Sequence, residues 1–180
     1  MGRVQDKVAI VTGGAKGLGL ASAEALVREG ARVMIADVDA ASGEAAARTL
    51  GDRAAFHRLD VTDAKAWDAA LDAAEKAFGP LDVLVSSAGV GSIASVEDIS
   101  DAEWNRTINI NLNGIYLGTK AAIARMKGRG GSIVHIASVE GMVGDPVCRR
   151  TMPARARSAC SPARPRSTAR ATATASASIR

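Results

Sequence analysis

KVAIVTGGAKGLGLASAEALVRE, residues 7–29, places a strand, a glycine-rich turn and a helix in immediate succession. Val8 to Val11 form a short apolar run of the kind that a parallel strand buried on both faces requires. Thr12 to Gly19 break that run, and Ala21, Ala25 and Leu26 then recur at the spacing of one helical face. Gly13, Gly14, Gly17 and Gly19 allow the main chain to approach a ligand closely, with Lys16 and Leu18 set between them. The helix that opens there aims unpaired N–H groups and the positive end of its dipole at the same point. The stretch reads as a cradle for a pyrophosphate. Glycine-rich turns occur in many loops, so the reading depends on what surrounds it.

The surroundings support it. Gly30 stands where a helix ends, and RVMIAD, residues 32–37, is a second apolar strand closing on a carboxylate roughly 20 residues past the glycines. A carboxylate there can accept hydrogen bonds from both hydroxyls of an adenosine ribose and would repel a 2′-phosphate. Asp37 therefore argues for NAD over NADP, while the charge of Lys16 argues the other way. Asp37 also admits a plainer reading, as a helix-capping or turn residue.

The pattern repeats along the chain. Asp39 is placed to cap an alanine-rich helix that Gly51 ends, and Ala54 to Leu59 is a third strand leading into Asp60 and Val61. A helix follows from Thr62-Asp63 to Phe78 and stops at Gly79-Pro80. Leu81 to Val85 is a fourth strand, followed at once by the small residues Ser86, Ser87, Ala88 and Gly89. Ser100 and Glu103 form a capping box opening a long helix to about Met126, and Ser132 to Ser138 is a fifth strand. Alternating strands and helices with short connections predict an α/β fold, a doubly wound parallel sheet with ligands at the carboxyl ends of its strands. The glycine turn, Asp37, Asp60, Ala88-Gly89 and Ser138 all fall at such ends.

With 180 residues, 47% of them hydrophobic, the chain suffices for one domain of ordinary core size. No apolar run reaches membrane-spanning length, and MGRVQDK leads straight into the first strand without a signal-peptide apolar region, so a cytoplasmic protein without a membrane partner is expected. The net charge of +4 would prompt a search for nucleic acid. However, eight of the 23 basic residues are arginines within 147–180, which holds no acid, so the first 146 residues carry 15 basic groups against 19 acidic ones. Cys148 and Cys160 lie in the same tail without partners at metal-ligand spacing, and no metal site is expected.

Taken together, Thr12-Gly13-x-x-x-Gly17-x-Gly19, Asp37, Asp60-Val61, Ser87-Ala88-Gly89, Asn109-Ile-Asn111-Leu and Gly131 to Ser138 resemble the short-chain dehydrogenase/reductase family over about residues 5–146. The resemblance implies a Rossmann-type sheet, NAD bound along the strand edge, and hydride transfer between that cofactor and a small-molecule secondary alcohol or ketone. In the family a tyrosinate is the base, a lysine lowers its pKa and binds the nicotinamide ribose, a serine holds the substrate oxygen, and an asparagine on the long helix completes a water-linked proton path. Ser138 and Asn111 match the serine and asparagine; for each, a side chain merely satisfied by backbone is the plainer reading. Ser87 departs from the family, which usually has asparagine in that stretch. The Tyr-x-x-x-Lys pair is also missing: Thr151 and Arg155 occupy its places, so the chain as written is expected to be inactive. Tyr116, mid-helix, reads as core rather than base, Trp67 and Trp104 read as packing anchors, and His57 and His135 read as packed or edge residues.

From Val147 the composition shifts abruptly to alanine, arginine, serine, threonine and proline, which predicts a disordered tail after a C-terminally incomplete family domain. A binding protein whose basic tail contacts nucleic acid or an acidic partner is the alternative, although no aromatic residues interleave the arginines for base stacking. A third reading explains more. Codons compatible with Arg150 to Ala156, read from the third base of Arg150, permit Tyr-Asn-Ala-Ser-Lys-Gly at the place where the family has its pair. In that same frame Thr174 to Ile179 permits Gly-Ile-Arg-Val-Asn, which resembles the family's next strand. The tail is thus expected to be out of frame with the enzyme. The resemblance further implies a homo-oligomer packed through the long helix. With the partner helix missing, the face containing Ile108, Leu112, Ile115 and Ala122 and the edge of the fifth strand are expected to lie uncovered, making the chain prone to aggregate.

Overall fold

A computed structural model describes residues 2–91, 94 and 97–138 and the backbone of 174–179. Five parallel strands run in the order β3–β2–β1–β4–β5: β1 Val8–Thr12, β2 Arg32–Asp37, β3 Ala54–Arg58, β4 Val83–Ser86 and β5 Gly131–Ile136. Between them run α1 Gly17–Arg28, α2 Ala40–Leu50 and α3 Ala64–Phe78, then α4 Asp101–Ile108 joined to α5 Gly114–Met126. The chain moves outward from β1 to β3, then crosses back over β1 to β4. The switch point therefore falls between β1 and β4, where such sheets open a crevice at their carboxyl edge.

Alternation along the buried strands feeds two separate cores. Ile10, Met34, Leu84 and Ile133 face α3 and α5, packing with Trp67, Leu71 and Met126. Ala9, Val11, Val33, Ile35 and Val85 face α1 and α2, packing with Ala23, Ala46 and Ala47. Every residue of β1 is buried, as a strand covered on both faces must be. On α1 the buried residues are Gly19 and Ala23, with Leu20, Leu26 and Val27 beside them. The expected stripe through Ala21 is displaced, and Ala21 is exposed.

Local signals account for the helix ends. Asp39 accepts from the Ser42 N–H at the start of α2, Asp63 from Lys65 and Ala66 at the start of α3, and Ser100 from Glu103 at the start of α4. Gly51 and Gly79 end α2 and α3 with positive φ, a conformation that costs glycine nothing.

Three features depart from the sequence reading. The long helix is interrupted by a π turn, Asn109–Asn113, closed by a hydrogen bond from the Gly114 N–H to the Asn109 carbonyl. Around it, Ile115 and Ala122 are buried rather than uncovered, while Tyr116 is 60% exposed and Trp104 38% exposed. Tyr116 is therefore not core and Trp104 is not an anchor, although Trp67 is fully buried and donates its indole N–H to the Val61 carbonyl. Finally, the edge of β5 is not open. A strand β6, Thr174–Ile179, pairs with it antiparallel along its whole length, Gly131 opposite Ile179 and Ile136 opposite Thr174. Ladder hydrogen bonds are made by main chain, so small residues suffice for such pairing. The remainder of the tail, including Thr151, Arg155, Cys148 and Cys160, lies outside the described residues.

Candidate nucleotide-binding cleft

At the carboxyl ends of β1, β2, β3 and β4 a cleft of about 630 Å³ is lined by Gly13, Lys16, Leu18 and Gly19 from the turn and by Asp37, Asp60 and Val61. Ser87, Ala88 and Gly89 complete the wall beyond β4. The structure thus gathers into one concavity four stretches that the sequence separates by up to 76 residues (Gly13 to Gly89).

The glycine turn is shaped by close approach. Gly13 has φ +63°, and a Cβ there would sit 2.7 Å from the backbone of Ala88. A Cβ on Gly19 would collide with the Gly13 carbonyl, and one on Gly14 would lie 2.9 Å from the Val11 carbonyl. Gly17, φ +59°, has open space on its Cβ side. Lys16 caps α1 without a side-chain hydrogen bond, so the first-turn amides of Gly17 and Leu18 have no capping acceptor. Thr12 links the two walls, its Oγ1 accepting from the Ser87 N–H at 3.1 Å and the Ala88 N–H at 3.2 Å. This close-fitting turn, open at Gly17 and with free amides at a helix N-terminus, fits a diphosphate.

The acids are held by their own turns. Asp37 accepts from the Ala15 N–H and the Asp39 N–H, both at 3.1 Å, so the turn role and the cleft position coexist. Asp60 Oδ1 accepts from the Thr62 N–H and hydroxyl. Asp39 is tied to the Ser42 hydroxyl and amide, and lies 3.5 Å from the Lys16 ammonium; those hydrogen bonds, and then Lys16, hold its carboxyl below the usual range. Lys16 therefore does not stand alone in the turn.

The two residues matched to catalytic roles lie apart from this wall. Asn111, fully buried in the π turn, donates to the Val90 carbonyl at 2.7 Å and accepts the Val90 N–H at 2.9 Å. Its amide clamps the segment after β4, the backbone-satisfied geometry. Ser138 is half-buried two residues past the end of β5, on the same edge of the sheet but outside the lining of the cleft. His135 on β5 sits 3.5 Å from the Thr119 hydroxyl, and burial lowers its pKa. Sequence reasoning missed Val38, Val90, Arg106 and Ile110 and gave Asp39 and Leu59 only capping and strand roles, yet all six also line the cleft. The i, i+4 spacing of Arg106 and Ile110 shows that they share a helix face, but nothing in it shows which way that face turns. Among the described residues no cluster of potential metal ligands occurs, and no helix is long and apolar enough to cross a membrane.

Comparison with known proteins agrees with this geometry. The chain is 45% identical to a 3-alpha-(or 20-beta)-hydroxysteroid dehydrogenase of Mycobacterium tuberculosis over 148 residues, 82% of this chain and 57% of that protein. It is 46% identical to a trans-4-hydroxycyclohexanecarboxylate dehydrogenase of Sinomonas cyclohexanicum, over 79% of this chain and 58% of the other. It is 45% identical to an NADP-dependent (R)-specific alcohol dehydrogenase of Lentilactobacillus kefiri, over 80% and 59%. The chain thus spans less than three-fifths of the length of these relatives. The short chain dehydrogenase profile matches residues 7–149, and with the parallel sheet, the glycine turn and Asp37 in one cleft, the chain belongs to the short-chain dehydrogenase family.

Proposed function

We propose that this chain carries the nucleotide-binding part of an NAD-dependent oxidoreductase that interconverts a secondary alcohol and a ketone, and that its 180-residue form binds the cofactor without turning over substrate. The observation that carries the reading is the convergence of the glycine turn, Asp37 and Ala88-Gly89 on one cleft. The amides of Gly17 and Leu18 would hold the diphosphate and Asp37 the adenosine ribose; Asp60, Val61, Ser87, Ala88 and Gly89 would form the wall along the base and the second ribose. When bound, the nicotinamide accepts or delivers the hydride. Asp37 supports NAD, because a 2′-phosphate beside its carboxylate would meet like charge.

Ser138 would hold the substrate oxygen at the sheet edge. Asn111 would act by fixing the Val90 segment rather than through a free amide. Neither residue can remove the hydroxyl proton. Threonine and arginine, at 151 and 155, supply no base near neutral pH, and loss of such acid–base help costs roughly 10²- to 10⁴-fold. Two of the relatives are named for a hydroxysteroid and a hydroxycyclohexanecarboxylate, which supports a cyclic secondary alcohol as the substrate class to try first. Exposed Tyr116 and Ile123 on α5 would support assembly with a second copy.

Two proteins test this: the 180-residue chain, and the product of a gene whose frame is corrected between the codons for Val147 and Arg150. With cyclohexanol-type substrates and NAD, the corrected protein should form NADH and the 180-residue chain should not. Turnover by the 180-residue chain, or confirmed DNA offering no frame with Tyr-x-x-x-Lys, would overturn the account.

A further inference from the structure

Lys16, 77% exposed, is the cation of the glycine turn, and its ammonium reaches across to Asp39 at the start of α2, 3.5 Å away. Asp39 does not adjust to it. Its two carboxylate oxygens are fixed by the Ser42 N–H at 3.1 Å and the Ser42 hydroxyl at 2.7 Å, so the lysine comes to a preset anion. Asp37 stands two residues earlier, and its Oδ1 accepts the Asp39 N–H, which locks the two carboxylates into one corner. Lys16, Asp37, Val38 and Asp39 all line the same cleft. This corner therefore holds two carboxylates and a single lysine, and the lysine is already engaged.

We propose that Asp39 is a specificity-determining residue: by holding the Lys16 ammonium it withdraws the cation that could otherwise neutralise a ribose 2′-phosphate, and so strengthens the selection of NAD made by Asp37. The inference rests on the reading of the cleft as an NAD site. It accounts for the conflict between Lys16 and Asp37 that the sequence poses, since the two charges are not independent. An exposed pair of this kind contributes little to folding, so its loss is a binding effect.

Asp39→Asn is the direct test, because asparagine caps a helix about as well as aspartate and keeps an acceptor for the Ser42 N–H. Dissociation constants for NAD and NADP, measured by calorimetry at low salt on the 180-residue protein, give the readout without requiring turnover. The ratio of the NADP to the NAD constant should fall about tenfold in Asp39→Asn, and by less than about threefold when the same change is made in a Lys16→Ala background. An unchanged ratio in Asp39→Asn, with NAD still bound, overturns the inference alone. An equal fall with and without Lys16 also overturns it, assigning the effect to direct repulsion by Asp39. Absence of NAD binding to the unmodified chain overturns the underlying reading and the inference with it.

Discussion

On the β1–β2–β3 side of the sheet Thr12, Asp37 and Asp60 at the carboxyl edge are engaged by main chain: Thr12 with Ser87 and Ala88, Asp37 with Ala15 and Asp39, Asp60 with Thr62. On the β4–β5 side, Ser86 Oγ, Thr107 Oγ1 and His135 Nδ1 are buried without a hydrogen-bond partner among the described residues. The two sides share one sheet and one pair of cores, so the difference lies in how polar groups are closed. Asp37 and Asp60 find partners within their own turns, and Thr12 finds them in the segment after neighbouring β4. The second side leaves those groups unmatched among the described residues, and a buried polar group without a partner in general costs about 1–3 kcal/mol. The edge proposed to hold the nucleotide is therefore closed by main chain, with Ser87 and Ala88 beyond β4 contributing, whereas the described part of the β4–β5 side leaves buried polar atoms unmatched.

Asn111 is a double tie within the less satisfied side, since one amide closes both the N–H and the carbonyl of Val90. Asn111→Ala should lower stability by about 1–3 kcal/mol in denaturant unfolding, through two part-buried main-chain groups left without their partner. A loss below 0.5 kcal/mol, on the same order-of-magnitude scale, would show that the clamp is not needed. On the other side, Gly13→Ala attacks the close contact between the turn and Ala88. It should weaken NAD binding about 10- to 100-fold, because alanine meets both a positive φ and a 2.7 Å approach. Calorimetric titration showing undiminished affinity would break the claim that the turn is shaped for a ligand.

His135 sharpens the comparison through pH. Burial depresses its folded-state pKa below 6.5, so between that pKa and 6.5 the unfolded chain binds more protons. Its contribution to stability is complete above pH 6.5 and declines as the pH falls from there towards the folded-state pKa, with a slope no steeper than about 1.4 kcal/mol per pH unit. His135→Asn should flatten that slope in unfolding curves compared across pH; an identical slope would remove the histidine as its source. The smallest effect belongs to Ser86→Ala, which deletes an unmatched buried hydroxyl. Stability should stay level or rise by about 0.5–1 kcal/mol, whereas a marked loss would reveal a partner for that hydroxyl.

Much of this was legible in the residues. The β1–turn–α1 unit announces itself because an apolar run, four glycines and a helical stripe are all local features. Asp37, Asp60 and Ala88-Gly89 could be placed because each follows such a strand. The orientation of the long helix was not legible. A π turn inserts a change of phase that Asn109-Ile-Asn111-Leu does not advertise, and Tyr116 beyond it is exposed where packing was expected, as is Trp104 before it. The pairing of Thr174–Ile179 was hidden for a different reason: main-chain ladders need no distinctive side chains. The tie between Lys16 and Asp39 joins two different turns, and sequence spacing alone cannot show that they meet.

Titration of the purified 180-residue chain with NAD and with NADP, followed by calorimetry, tests the central claim most directly. Saturable one-to-one binding of NAD, weaker binding of NADP, and loss of that preference in Asp37→Asn are expected. No binding of either nucleotide, or a preference for NADP that survives neutralising Asp37, would contradict it.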